Sequence, residues 1–385
     1  MNLLAITLLL AATPKWESPR VPADAPAPAG LGGMKASDCG ACHQEIYAEW
    51  QTSTHAHAWV DAQFQREIAK DPEVAWVCIN CHTPAGDQQV EITVSTGEIR
   101  APERTPNPNF DPVWQQEGIS CATCHIRDGA VLGPYGDTNA PHPVTHDPEM
   151  RSSALCLGCH QAVARVEATL VCSFNTGMEA QEAGETRSCQ SCHMPEVTRP
   201  LLPGGEARPS RKHLWQGSGI PKTAEQAKMD LWNPAPPPGM AAEMTPPEDA
   251  APGETVEVGI TLKTLDIGHM VPSGDPERYY IAEAVVRAPD GAQVGRVIYR
   301  VGQIWKWWPE AERLEDNRLV PGETRQIALS FVQPPGGATV TLELTHYRIS
   351  PENAGYHGLE GYPTHRVVSR EEAEVRAVDS DPAGG

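Results

Sequence analysis

The sequence predicts two unlike regions in one chain: a mainly helical and coil region with little regular structure, followed by an antiparallel β-sandwich. Three observations carry this. The word CxxCH occurs five times between residues 39 and 193 of the 385 and nowhere afterwards. Apolar residues alternate in short runs only beyond residue 255, the pattern of half-buried strands. A Pro-rich stretch, 229–251 (MDLWNPAPPPGMAAEMTPPEDAA), stands between the two as a connector.

The chain opens with MNLLAITLLLAATPKWESPR, whose apolar run from Leu3 to Ala12 is too short to cross a bilayer. Residues 1–13 read as a secretory signal peptide with a weak n-region, since no Lys or Arg precedes the apolar core; a short buried segment of the fold is the other reading. Residues 14–35, rich in Pro and Ala, read as a flexible lead-in. The expected location is periplasmic or extracellular, with no transmembrane segment in the mature chain.

Residues 36–228 hold the five motifs: Cys39, Cys42, His43; Cys78, Cys81, His82; Cys121, Cys124, His125; Cys156, Cys159, His160; and Cys189, Cys192, His193. Two thiols three residues apart, with a histidine directly after, form the attachment site of c-type haem: both sulfurs make thioether bonds and the imidazole ligates the iron. Zinc needs closed tetrahedral sites and gives no reason for histidine to follow the second cysteine each time. Five covalently bound haem c groups are therefore expected. Large porphyrins would supply the apolar surface that side chains otherwise provide, which explains the weak periodicity here. Helical stretches such as 44–70 alternate with Pro/Gly-rich coil, and short links between motifs place consecutive haems near one another. The motifs use ten of the eleven cysteines, leaving Cys172 as a buried thiol or, in an oxidising compartment, a crosslink between two copies.

In the sandwich, expected over 252–366, VEVGITL alternates Val256, Val258, Ile260 and Leu262. YYIAEAVVRAPDGAQVGRVIYRV reads as two strands about a PDG turn, and TVTLELTHYRI as another strand. The phrase PGETVEVGITL is echoed by PGETRQIALSF. The cluster IWKWWP reads as sandwich core, or as an interface if exposed. Residues 367–385 read as a frayed acidic tail. A net charge of -20 excludes a phosphate-binding surface, so nucleic acid is not an expected partner; exported redox proteins or other cytochromes are.

Low-spin haem needs a second axial ligand, usually His or Met, and nine histidines remain outside the motifs. Met194, adjacent to His193, is badly placed to reach the opposite face of the same haem. The words WQTSTHAHA, EGISCATCH, APHPV before SSALCLGCH, CQSCHMP and KHLWQG resemble those of multihaem cytochromes of the cytochrome c-554 and hydroxylamine oxidoreductase-like group, over roughly residues 37–217. That resemblance implies distal ligands at His55, His142 and His213, with His57 and His146 left over. The word GHMVPSGDPER is similar to one following haem domains in related proteins, which implies a fourth at His269 and a β region docked on the haem region. For the fifth iron, His146, His346, His357, His365 and an open position remain.

Two functions follow. One is electron transfer between redox partners through closely packed, mostly bis-histidine haems. The other is an oxidoreductase acting on an oxidised nitrogen or sulfur compound at one open haem, as in enzymes of the same wider group. The CxxCK motif of its nitrite reductases is absent here, and no word matches the cross-linking tyrosine of hydroxylamine oxidoreductase. No catalytic residue is assigned. A third role, docking to a redox partner, falls to the β region.

Overall fold

The computed structural model describes residues 19–94, 99–136, 140–166, 169–215, 217–229, 238–307 and 309–379. The signal-like segment 1–13 lies outside them.

The first region is built from short helices separated by coil and two- or three-stranded hairpins. Each CxxCH occupies a helical turn: α1 (Ala36–Gly40) leads into the first motif, and α4 (Ala75–His82), α5 (Cys121–His125), α6 (Ala154–His160) and α8 (Cys189–His193) carry the others. Helical spacing sets the two cysteines of a motif three positions apart on one face, with the histidine beside them at the fourth. Between the first two motifs run α2 (Gln44–Thr52) and α3 (Ala62–Lys70), the latter capped by the Asp61 carboxylate, which accepts from the Gln63 N–H at 3.2 Å. Helix α7 (Thr176–Glu182) stands before the last motif.

Side chains alone make only small apolar clusters in this region, such as Ala36, Trp50 and Ala56, or Trp76, Val77 and Ala164. Residues 19–35 differ from the expected flexible lead-in: Val21 and Met34 are buried with Trp114 and Ile126, and Val21 bridges Ala85. Apolar residues spaced without period among prolines can still fill a groove made by other segments, which a search for periodicity does not detect.

The second region is antiparallel throughout its named strands. One sheet orders β1 (Met240–Met244), β2 (Thr255–Thr264) and β6 (Thr324–Val332) side by side. The other orders β5 (Glu312–Asp316), β4 (Gln293–Lys306), β3 (Tyr279–Arg287), β7 (Ala338–Tyr347) and β8 (His365–Val375). Both sheets contribute to one apolar cluster, in which Val258, Ile260 and Leu262 meet Ala284, Val340, Leu342 and Leu344. The two echoed phrases are partners: β2 and β6 pair from Thr255↔Val332 to Lys263↔Thr324.

Three expectations change here. Met240, at 0% exposure, and Ala242 belong to the core, so the second half of the Pro-rich connector is an edge strand. The acidic tail is ordered through Val375, because Val368, Ala373 and Val375 face inward while Arg370, Glu372 and Glu374 put charge on the outer face, and β7 supplies the ladder. In IWKWWP, Ile304 and Trp307 are exposed, and Trp305 stacks on Trp307 at 5.3 Å, so this cluster is surface and not core.

The loop from Gly268 to Arg278 joins the regions. Val271 and Leu319 exchange backbone hydrogen bonds at 3.0 and 3.1 Å, which ties the loop to the β region. Ser273 Oγ bonds both Thr176 (2.8 Å) and Glu179 (2.6 Å) of α7. Arg318 donates to Glu179 at 2.6 Å, and both side chains are at most 7% exposed. Removing one partner of such a pair leaves a buried charge uncompensated. Arg318→Met is expected to destabilise the protein by about 3 kcal/mol in urea unfolding; a loss within error of zero would mean that docking does not depend on this pair.

Candidate functional site

Histidine rings in the first region face each other in pairs. His43 stands 6.5 Å from His142, centre to centre, His160 6.3 Å from His55, His125 6.4 Å from His213, and His193 6.3 Å from His269. Two metal–imidazole bonds of about 2 Å, plus roughly 1 Å from each nitrogen to its ring centre, put two trans imidazoles on one metal about 6 Å apart. The four pairs have that separation. Each joins one motif histidine to one of the four distal candidates, including His269 from the β-region loop.

The ring nitrogens are oriented from outside. Nδ1 of His43 lies 2.9 Å from the Leu201 carbonyl, that of His82 3.1 Å from Ala58, and that of His125 2.9 Å from Leu132. His213 and His269 face the Arg211 and Met270 carbonyls, each at 2.9 Å. A carbonyl only accepts, so Nδ1 carries the proton and Nε2 keeps its lone pair for a metal. Burial also favours the neutral ring: it pushes His55 and His213 down to about 3 and His82 and His160 to about 4, with neighbouring histidines or cations adding to the effect.

The thiols link the motifs in space. Cys39 lies beside Cys121, Cys81 beside Cys159, and Cys156 beside Cys189. Cys124 is also near Cys156 and Cys159. The first motif thus neighbours the third, the third the fourth, and the fourth both the second and the fifth. The third and fourth motifs, and the fourth and fifth, are consecutive as expected, while folding back of the chain adds the contacts of the first with the third and the second with the fourth.

His82 differs from the other motif histidines. Its ring stacks on Phe64 at 3.8 Å and 2°. Of the candidates for the fifth iron, His357 pairs with Glu67 at 3.2 Å, His365 stacks on Tyr347 at 5.0 Å and His146 is exposed at a strand end, whereas His346 stacks on Tyr280 at 4.1 Å with both ring nitrogens buried and without a hydrogen-bond partner. His57 turns Nδ1 to the Ser53 carbonyl at 2.9 Å. Cys172 is partly buried, its Sγ 3.5 Å from the Ala162 carbonyl, and burial raises it to about 12, as for an inert thiol.

Several site residues were not anticipated. Trp215 lies 4.8 Å from His55 and 5.2 Å from His213, bridging two ring pairs with its backbone at φ 42°, a sparsely populated conformation for a bulky residue. Its place in the HLWQG word was the available signal. Around His82, Asp61 pairs with Lys222 and accepts from Tyr362 Oη at 2.6 Å, while Arg348 bonds Tyr362 at 2.7 Å. These partners lie far apart in sequence, and no local pattern marks them.

The donor set fits haem c: paired thiols, an adjacent imidazole and a facing imidazole. Buried Nε atoms of Arg20, Arg278 and Arg366 have no hydrogen-bond partner within the protein, as suits cations that would meet haem carboxylates. Residues 38–126 match the family model described as cytochrome c554 and c-prime. The C-type polyheme cytochrome OmcB from two strains of Geobacter sulfurreducens is 30% identical over 142 residues, 35% of this chain and 18% of theirs. The chain thus spans less than a fifth of the curated relatives' length. A penta-heme cytochrome c552 from Thermochromatium tepidum shares the fold, with a TM-score of 0.64 at 17% identity over 89% of this chain and 99% of that one. Together these findings support a multihaem c-type cytochrome with haem c as cofactor. Among the described residues no helix is long and apolar enough to cross a membrane.

Glu277, bonded by Asn353 at 2.5 Å and Gln63 at 3.4 Å, sits where the two regions meet. Burial, with Asp275 and Glu67 adding, raises it to about 8. The folded protein therefore holds a proton that the unfolded chain releases above about pH 4.3, and stability falls as pH rises from there to about 8. Glu277→Gln is expected to flatten that decline, read as urea unfolding at pH 5 and pH 8; an unchanged slope would assign the pH dependence to other groups.

Proposed function

We propose that the protein is an exported pentahaem cytochrome that passes electrons between redox partners. Its haem domain (36–228) is followed by a β-sandwich domain whose strands run from Met240 to Val375. The observation that carries this reading is the set of four histidine pairs at 6.3–6.5 Å, each including a different motif histidine. On this reading the ten motif cysteines bind five haems, His43, His82, His125, His160 and His193 are proximal ligands, and His142, His55, His213 and His269 are distal ligands to four of them.

When bound, haem supplies one-electron redox chemistry; the protein sets axial ligands, burial and spacing. Carbonyl acceptors at Nδ1 orient the rings and raise their basicity as ligands. Thiols of different motifs in contact support short passages between haems. The resemblance to cytochrome c-554 and hydroxylamine oxidoreductase-like proteins, the signal-like segment and the extracytoplasmic attachment of haem c support export to the periplasm or beyond. The negative surface favours basic partners and raises their encounter rate at low salt.

A second reading starts from His82: it is the one motif histidine that, among the described residues, is not in a ring pair at 6.3–6.5 Å. It leaves one haem open, and with it the possibility of reduction or oxidation of a small nitrogen or sulfur compound there.

The test is haem stoichiometry by intact mass together with low-temperature EPR of the oxidised holoprotein. Five haems per chain are expected, four of them low-spin, and His269→Ala is expected to convert one low-spin haem to high-spin. Fewer haems, or a His269→Ala spectrum identical to that of the parent, would sink the ligand assignment.

A further inference from the structure

Two of the ten motif cysteines are exposed, Cys42 of the first motif and Cys192 of the fifth; the other eight are partly buried. Among the described residues, thiol contacts run from the first motif through the third and fourth to the fifth, so these two motifs stand at the ends of that series. A porphyrin bonded to an exposed sulfur has that edge at the surface, where a redox partner can come closest to it. The two edges differ in their surroundings.

Around Cys192 the charges cancel. Arg187, which interacts electrostatically with Cys192, pairs with Glu185 at 2.6 Å and with Asp266 at 2.7 Å. Arg211 donates to the carbonyls of Gln190 and Met194, which flank Cys192, and pairs with Glu196 at 3.0 Å.

Around Cys42 they do not cancel. Asp38 precedes the first motif and Glu45 follows it, both exposed. The hairpin of Glu196–Pro200 and Ala207–Arg211 brings its tip to the same motif, since the Leu201 carbonyl faces His43 Nδ1 at 2.9 Å. That tip carries exposed Glu206 and, in a turn closed by the Gly205 N–H donating to its carbonyl at 3.0 Å, Leu202, which is 44% exposed. The nearby cations are already engaged: Lys35 with Asp111 at 2.5 Å, and Arg199, 7% exposed, with the two oxygens of Glu49 at 2.7 and 2.9 Å. Glu45, 3.7 Å from the same guanidinium, keeps its side chain 69% exposed. The Arg199–Glu49 pair also holds the hairpin on α2, which fixes the apolar tip beside the acidic rim.

We propose that this surface, Leu202 with Asp38, Glu45 and Glu206 around it, is the docking site of a basic redox protein that exchanges electrons at the first haem. This rests on the electron-transfer reading above and adds to it the class of partner and the place where it binds. Opposite charge steers and orients such encounters, and small contact areas suffice for them. Each transfer takes one electron from a ferrous iron to a ferric one, with no bond made or broken.

The experiment titrates oxidised holoprotein with an oxidised basic monohaem cytochrome c by calorimetry at low and high salt, and follows reduction of that cytochrome by the reduced holoprotein in stopped flow. Glu45→Gln with Glu206→Gln is expected to raise the Kd about fivefold or more at low salt and little at high salt. Leu202→Ser is expected to raise it about threefold at both, because apolar contact is not screened. Glu257→Gln with Glu374→Gln removes the same charge from exposed positions on β2 and β8, at the ends away from the Gly268–Arg278 loop, and is expected to change the Kd by less than about twofold. Equal effects of the two pairs overturn the site, because net charge alone then attracts the partner. An unchanged Kd in every variant, with the cytochrome still reduced, overturns the site and leaves electron transfer standing. Binding that follows Glu45, Glu206 and Leu202 without any reduction of the cytochrome overturns the proposal together with the electron-transfer reading.

Discussion

A backbone carbonyl facing one nitrogen of a histidine ring is the constraint on which the site depends. The carbonyls of Leu201, Ala58 and Leu132 meet His43, His82 and His125, and those of Arg211 and Met270 meet His213 and His269. Each contact settles a tautomer and a ring plane at once, leaving Nε2 as the free donor. Leu201 is 158 residues from His43, so the orientation of a motif histidine is decided by tertiary packing even though the motif is local. A CxxCH turn by itself delivers the thiols and an imidazole; the fold delivers the direction of that imidazole.

The same logic gives the β region a structural part in the haem region. His269 reaches His193 from a loop whose one side is stitched to Leu319 and whose other side is bonded, through Ser273, to α7. The buried Glu179–Arg318 pair closes this joint. A twenty-residue apolar cluster stabilises the β region, whereas the haem region has only separated clusters of a few side chains. The β region thus has a continuous side-chain core of its own, and from it the loop histidine is positioned.

Much of this was legible in the sequence. The CxxCH words, the alternation of Val256 to Leu262 and the PDG hairpin rest on residues that mean the same thing wherever they occur, whereas the four distal candidates came from the resemblance of their words to those of multihaem cytochromes. What was not legible depended on partners remote in sequence. Val21 and Met34 look like coil until Trp114 and Ile126 offer them a groove, and β8 looks like an acidic tail until β7 offers it a ladder. Trp307 carries the signature of core but lies on an outer edge, because hydrophobicity states a preference and topology assigns the place. The Asp61–Lys222–Arg348–Tyr362 network spans up to 301 residues, beyond any local pattern.

The order of the motifs in space gives His82 a particular position. Thiol contacts connect the first motif to the third, the third to the fourth, and the fourth to the second and fifth. Among the thiol contacts of the described residues, the second motif meets the fourth. Electrons could then cross the molecule through motifs one, three, four and five without visiting the second, and those are the motifs whose histidines are paired. An exchangeable sixth position on a link of that path would make conduction sensitive to every small ligand in the compartment. At the second motif it would not: the four paired sites would keep conducting, and the fourth would supply or withdraw electrons one at a time for whatever binds beside His82. Wire and reaction site are thus compatible readings of one arrangement, divided by which histidines have a facing partner.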